Sequence, residues 1–256
     1  MSGIVELGGQ FVDGLGLVLR FFHDTTVGFA GDYSWALAIM LLTVAVRILL
    51  LPLAIKQINS MRGMQKIQPE IKKIQKKYKV DREVMKTDPE KYRAQRQKQQ
   101  EAMMALYKEH NVNPAGGCLP LLAQAPIFFA LFRLLFSDRI PELQDAPFIL
   151  IDSLGRLPMQ AGAGGGPAIG AFILAVLMGL TTFLTQKQMM ASNPASSQMP
   201  QQQVLLYVMP LMLMVFSFNI PVGVLIYWVT TNLWTMGQQW FMFRNVVNEA
   251  ANPSKT

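Results

Sequence analysis

The stretch Trp35-Ala-Leu-Ala-Ile-Met-Leu-Leu-Thr-Val-Ala-Val-Arg-Ile-Leu-Leu-Leu-Pro-Leu-Ala-Ile55 is apolar except at Thr43 and Arg47. Its 21 residues are enough to cross a hydrocarbon core of roughly 30 Å at about 1.5 Å per residue. A guanidinium cannot shed its charge there, so water or partners must offset the cost of placing it. That cost runs from about 2.5–3.5 kcal/mol on insertion scales to more than about 10 kcal/mol in simulations. An ionisable residue inside a span marks a functional site by default. The competing reading is that Arg47 snorkels to the cytoplasmic face. Lys56 marks that face nine residues on, roughly 13 Å away, and a long side chain covers only part of the gap.

Composition agrees with a membrane protein. The 256 residues are 51% hydrophobic and 15% charged, against about 25% charged in a soluble domain. Residues 56–117 hold 15 of the 23 Lys and Arg but only 7 of the 16 Asp and Glu, so the net charge of +7 belongs to one segment. The single cysteine, Cys118, excludes an intrachain disulfide.

The expected fold is an all-α integral membrane protein with five transmembrane helices, an N-terminal interfacial helix and a cytoplasmic helical hairpin. Residues 1–34 form the extracytoplasmic N-terminus. Phe11, Leu15, Val18 and Phe22 recur there at helical spacing, suited to a helix lying in the membrane interface. Spans are expected at 35–55, 118–137, 168–187, 204–219 and 222–243. Ile220 and Pro221 alone separate the last two, and Pro210 predicts a kink or tilt in the fourth. The basic segment 56–117 belongs in the cytoplasm by the positive-inside rule, and the acidic segment 138–167 outside. The loop 188–203 and the tail 244–256 are then cytoplasmic. The run Gly162-Ala-Gly-Gly-Gly-Pro167 reads as a flexible outer linker.

Within 56–117, Ile58, Met61, Met64, Ile67, Ile71, Ile74 and Tyr78 form a narrow apolar seam at helical spacing. Pro69 should kink or restart that helix. A second helix is predicted from Pro89 to about His110, giving a basic antiparallel hairpin. Lys72, Lys73, Lys76, Lys77 and Lys79 form a charged face suited to anionic lipid or RNA.

Polar residues recur inside the spans. Thr43 and Arg47 lie one turn apart on one face. Gln124 sits between Pro120 and Pro126, and Trp228 and Asn232 share a face of span five, with Tyr227 turned roughly 100° away. Converging, these faces would make a wet groove around one fixed positive charge. No span contains Asp or Glu, the two histidines fall outside the spans, and no metal-ligand cluster is visible. Neither an enzyme nor a cofactor or metal site is expected. A small-solute transporter built on inverted repeats fits five spans poorly.

Several blocks resemble the YidC/Oxa/Alb family of membrane protein insertases. They are Thr43-Val-Ala-Val-Arg47 with Pro52-Leu, and Met64-Gln-Lys-Ile-Gln-Pro-Glu-Ile71. Met103 to Ile127, Gln186-Lys-Gln188 and Gly223-Val-Leu-Ile-Tyr-Trp-Val-Thr-Thr-Asn232 complete the set. The resemblance implies the short bacterial form, with a hydrophilic groove open to cytoplasm and lipid and closed outside. Arg47, Thr43, Gln124, Trp228 and Asn232 match the groove positions. The implied activity moves hydrophilic client termini across the bilayer and releases apolar segments into lipid. Implied partners are nascent membrane proteins with few spans, the ribosome, the Sec translocon and anionic lipids, but not DNA. The implied location is the bacterial plasma membrane. Arg244 and Lys255 are the only basic residues of the tail, fewer than in family tails that dock ribosomes.

Topology is testable in a Cys118-free background. A cysteine at Gln95 is expected to be shielded from a membrane-impermeant thiol reagent added outside, and one at Gln160 to react. Labelling of Gln95 from outside would overturn this topology.

Overall fold

In a computed structural model of the chain, residues 2–78, 87–112, 119–137, 139–192 and 200–251 are described. Lys79, the Gly116-Gly117 junction, Cys118, the loop residues 193–199 and the end of the tail lie outside them. Among the described residues every regular element is helical, apart from one isolated bridge between Phe148 and Ile151. We label the longer helices α1 (Ser2–Ala30), α2 (Ser34–Leu49), α3 (Leu51–Lys66), α4 (Gln68–Lys77), α5 (Pro89–Glu109), α6 (Leu119–Phe136), α7 (Ile169–Ser192), α8 (Pro200–Phe216) and α9 (Val222–Ala251). They fall into two compact units. One comprises residues 1–51, 122–188 and 204–256, and the other 52–121 and 189–203.

Among the described residues, two helical stretches are long and apolar enough to cross a membrane, Glu6–Leu49 and Ile169–Met190; Gln124–Phe136 and Leu206–Asn219 are shorter apolar helices. α9 is long enough, but its Thr, Asn and Gln residues lower its hydropathy.

In the larger unit α1 shows three faces. Val12, Leu15, Leu19 and Thr26 are buried at helical spacing. Leu7, Phe11, Val18, Phe21 and Phe29 form an exposed apolar face. Glu6, Gln10, Asp13 and Asp24 form an exposed polar one. Of the residues that the sequence pattern groups as an apolar face, Phe11 and Val18 are exposed and Leu15 is buried. Asp13 pairs with Arg139, Arg20 reaches Glu142 at 3.7 Å, and His23 stacks on Trp35 with ring centres 3.9 Å apart. These contacts hold α1 against the segment that follows α6 and the start of α2.

Residues 35–55 fall on two helices. α2 ends at Leu49 and α3 begins at Leu51, because Pro52 has no N–H to continue the ladder. Arg47 therefore occupies the last turn of α2. A cation there is favoured by the carbonyl end of the helix dipole, by about 0.3–1 kcal/mol at an exposed site.

The glycine run is folded rather than slack. Gly162 donates to Gly166 O at 2.8 Å, Gly165 donates to Gly162 O at 3.0 Å, and a Cβ on Gly162 would strike the Pro167 carbonyl. Asp152 donates to Ala161 O at 2.7 Å and Leu154 to Ala146 O at 3.0 Å, over buried Leu143, Ile151 and Leu154. This loop is joined to α9. Val222 N donates to Arg156 O at 3.0 Å and Gly223 N to Leu154 O at 2.8 Å. A Cβ on Gly223 would lie 2.9 Å from Leu135 Cδ1 and 3.3 Å from Ile39 Cδ1.

In the smaller unit the helix stops at Lys66 and restarts at Gln68, with Pro69 in the first turn of α4. Ile67, Ile71 and Leu106 form a small core with Ile74, Met103, Tyr107 and Val112. His110 Nε2 lies 3.4 Å from a Glu70 carboxylate oxygen, and Asp88 caps α5 by accepting from Lys91 N at 3.0 Å. Burial pushes the Tyr107 phenol above its usual range.

Gly223→Ala is expected to destabilise the larger unit by about 1–3 kcal/mol through overpacking against Leu135 and Ile39. Gly14→Ala, where nothing lies within 4 Å, should be neutral or stabilising by up to about 1 kcal/mol. Thermal unfolding of the purified variants in detergent checks both, and equal stability of the two would refute the packing argument.

Candidate functional site

α9 carries the polar residues that decide the site, and its rotation sends them in three directions. Tyr227 is 2% exposed and has Arg47 and Thr231 as electrostatic neighbours. Trp228 meets Phe128 of α6 edge to face, with ring centres 5.6 Å apart. Asn232 is 7% exposed and donates from Nδ2 to the Thr181 and Thr182 hydroxyls of α7, at 3.0 and 2.9 Å. Thr181 in turn donates to Leu177 O at 2.7 Å, so this cluster is internally satisfied.

Arg47 is half-buried. Its Nε is fully buried and finds no hydrogen-bond partner among the described residues. Thr43, one turn earlier, is buried and donates to Ile39 O at 2.7 Å, so its hydroxyl proton is already used. Gln124 is half-buried, and neither its Nε2 nor its Oε1 finds a partner among the described residues. It lies one turn before Phe128, the residue that Trp228 touches. A buried polar group left unpaired costs about 1–3 kcal/mol, so Arg47 and Gln124 hold unspent hydrogen-bonding capacity.

The five expected positions are therefore not equivalent. Arg47 and Gln124 keep polar atoms available. Thr43 and Asn232 are committed within the protein, and Trp228 packs against an aromatic ring. Sequence reasoning turned Tyr227 away towards packing. It is indeed in the core, but on the side of Arg47. The polar row Thr181, Thr182 and Thr185 of α7 was not singled out either. Its spacing of one, three and four residues opposite Asn232 and Gln239 is the signal that identifies it. Gln188 Nε2 extends the row by donating to Met236 O at 3.3 Å. Among the hairpin lysines, Lys72, Lys73, Lys76 and Lys77 are exposed, and Lys77 lies 5.5 Å from the Tyr78 ring centre.

An all-helical chain with a guanidinium in an apolar helix and buried polar side chains on its neighbours defines a membrane protein with a hydrophilic interior. A family model described as "60Kd inner membrane protein" matches residues 26–89 and 85–249. A membrane protein insertase YidC of Fusobacterium nucleatum is 36% identical over 244 residues, covering 95% of this chain and 98% of the relative. The Streptomyces avermitilis protein of the same name is 39% identical over 254 residues, covering 89% of this chain and 56% of the relative. Membrane protein insertase MisCA of Bacillus subtilis is 33% identical, covering 88% of this chain and 76% of the relative. A solved structure, "Active YidC insertase crystal structure with the first transmembrane domain resolved", superposes with a TM-score of 0.63 at 26% identity, covering 90% of this chain and 46% of that one. The chain belongs to the YidC family. It spans about half of the Streptomyces relative and nearly all of the Fusobacterium one.

Asn232→Ala and Thr182→Ala are expected to couple in a double-mutant cycle by about 0.6–1.7 kcal/mol, the range of hydrogen bonds between membrane helices. Reversible unfolding in bicelles measures it. Coupling near zero would mean that Asn232 does not clamp α7 to α9.

Proposed function

We propose that this chain is a membrane protein insertase that lowers the barrier for moving a hydrophilic client segment part way across the bilayer. Five spans, formed around α2, α6, α7, α8 and α9, hold a groove open to the cytoplasm and to lipid. The observation that carries the reading is the buried Nε of Arg47, which lies beside Tyr227 and has no hydrogen-bond partner among the described residues. A client's acidic terminus supplies the missing partner. In a site of low dielectric the attraction of such a pair exceeds its value in water severalfold. Gln124 offers an amide donor and acceptor to client backbone. Trp228, with Phe128, forms an aromatic wall, and Thr43 and Asn232 set the spacing of the helices around the groove. Once the polar terminus has crossed, the apolar segment leaves sideways into lipid, favoured by about 25 cal/mol per Å² buried.

The mechanism has no covalent step and is not an enzyme's. Nascent membrane proteins with few spans are the clients, received from the ribosome directly or with the Sec translocon. The basic hairpin of α3 to α5 is the cytoplasmic entry platform. Lys72, Lys73, Lys76, Lys77 and Lys79 hold it near rRNA or anionic headgroups through screened, salt-sensitive attraction.

The purified protein in liposomes is expected to insert a short single-span client with an acidic leading terminus. Arg47→Ala should reduce that insertion about tenfold, the equivalent of a 1.4 kcal/mol contact, while the protein remains folded. Arg47→Lys should retain most activity if the role is that of a point charge and lose it if the planar fork is needed. Undiminished insertion by the alanine variant would reduce Arg47 to a snorkelling side chain.

A further inference from the structure

The outer loop carries an apolar tip that the groove does not use. Phe148 N donates to Ile151 O at 2.8 Å, which closes a turn with Ile149 and Leu150 at its apex. Both are exposed, Ile149 at 57% and Leu150 at 66%. Leu150 has φ of 59°, in the left-handed region. Turns that need a positive φ are ordinarily built with Gly or Asn, whereas here the position holds a large apolar side chain turned outward. Such strain persists where the surroundings over-determine it. The surroundings are visible: Gly170 N donates to Leu150 O at 3.3 Å, and a Cβ on Gly170 would lie 2.9 Å from Ile151 Cγ1 and strike the Ile149 carbonyl.

The turn is thus seated at the head of α7. That helix opens with Ile169, 69% exposed, and continues with exposed Ile173, Val176, Leu180 and Leu184 on one side. This apolar stripe lies on a helix long enough to cross a membrane, and in the proposed topology it faces lipid. The turn continues the stripe at its outer end. On its other flank Phe148 meets Tyr33 edge to face at 5.9 Å. No basic residue lies between Asp145 and Asp152, which bracket the turn. Attraction to anionic headgroups therefore cannot be its purpose.

We infer that the Ile149–Leu150 turn, flanked by Tyr33 and Ile169, is a lipid-binding anchor that inserts into the acyl–headgroup boundary of the extracytoplasmic leaflet. Its partner is the upper acyl chain of a phospholipid, and its attraction is burial rather than charge. The anchor fixes the depth of the outer end of α7 and of the loop bonded to α9. The inference rests on the proposed membrane-spanning topology for the span of α7 and for the choice of leaflet.

The test uses the full chain with Cys118→Ser and one cysteine, Ile149→Cys, Leu150→Cys or Gln160→Cys, each labelled with bimane and reconstituted in phosphatidylcholine vesicles. Labels at 149 and 150 are expected about 5–10 Å inside the headgroup boundary. They should be quenched by a nitroxide near the headgroup end of the acyl chain and shielded from iodide, whereas the label at Gln160 should show the reverse. Adding phosphatidylglycerol or salt should leave the pattern unchanged. Iodide quenching at 149 and 150 equal to that at Gln160 would overturn the inference, as would nitroxide quenching that appears only with phosphatidylglycerol. Quencher depth is blind to leaflet, and an impermeant thiol reagent at Gln160→Cys reports the side, so failure of the anchor and failure of the topology are read separately.

Discussion

At the start of α9, Gly223 lies against Leu135 of α6 and Ile39 of α2 so closely that a Cβ would displace their methyl groups. The backbone on either side is tied to the outer loop through Arg156 O and Leu154 O. Four segments therefore meet at one residue, and the meeting fixes the rotation of α9 about its axis. Each later residue of that helix follows at about 100° per step. Tyr227 arrives beside Arg47, Trp228 beside Phe128, and Asn232 beside Thr181 and Thr182. A helix free to rotate by one position would lose all three partners together. The polar interior of the larger unit is thus set by a close contact at its apolar end.

The bonded threonine hydroxyls of the helices serve two ends, and Thr181 serves both. Thr43, Thr230 and Thr235 each donate to a carbonyl one turn back, at 2.7, 2.7 and 2.8 Å. Bonded this way, a threonine presents mainly its methyl group to its neighbours. Thr181 and Thr182 accept from Asn232 and so join two helices. Counting polar residues along a span therefore overstates the polarity of the interior. Among the described residues, capacity is left over at Arg47 and Gln124, where the proposed client contact falls, and also at Thr185, Tyr227 and Gln239.

Much of this was legible in the sequence. The apolar run around Arg47, the polar run of α9 and the basic segment 56–117 each carry a strong compositional signal, and the family blocks add a second. The restart of the helix near Pro69 follows from the missing N–H of proline. The break at Leu50 follows from the same chemistry at Pro52, yet hydropathy averaged over 35–55 conceals it. Gly162 to Pro167 misleads for a different reason. A glycine run in a linker and one forced by close backbone approach have the same composition, and only the Pro167 carbonyl beside Gly162 tells them apart. The direction of Asn232 was also hidden, because it depends on the rotation that Gly223 imposes from nine residues away.

The marginal hydropathy of α9 bears on how the chain itself is made. Asn232 and Gln239 have costly side chains for a helix entering lipid alone. Asn232 finds its partners on α7, a more apolar helix synthesised earlier. If α9 spans the bilayer as proposed, α7 must already be in place when α9 enters it, or the asparagine has no acceptor. In the proposed topology α9 is stable in the bilayer as a member of a pair with α7. Production of the protein is then most sensitive to lesions in α7 that leave α7 itself well inserted but deprive its late-arriving neighbour of the hydroxyls it needs.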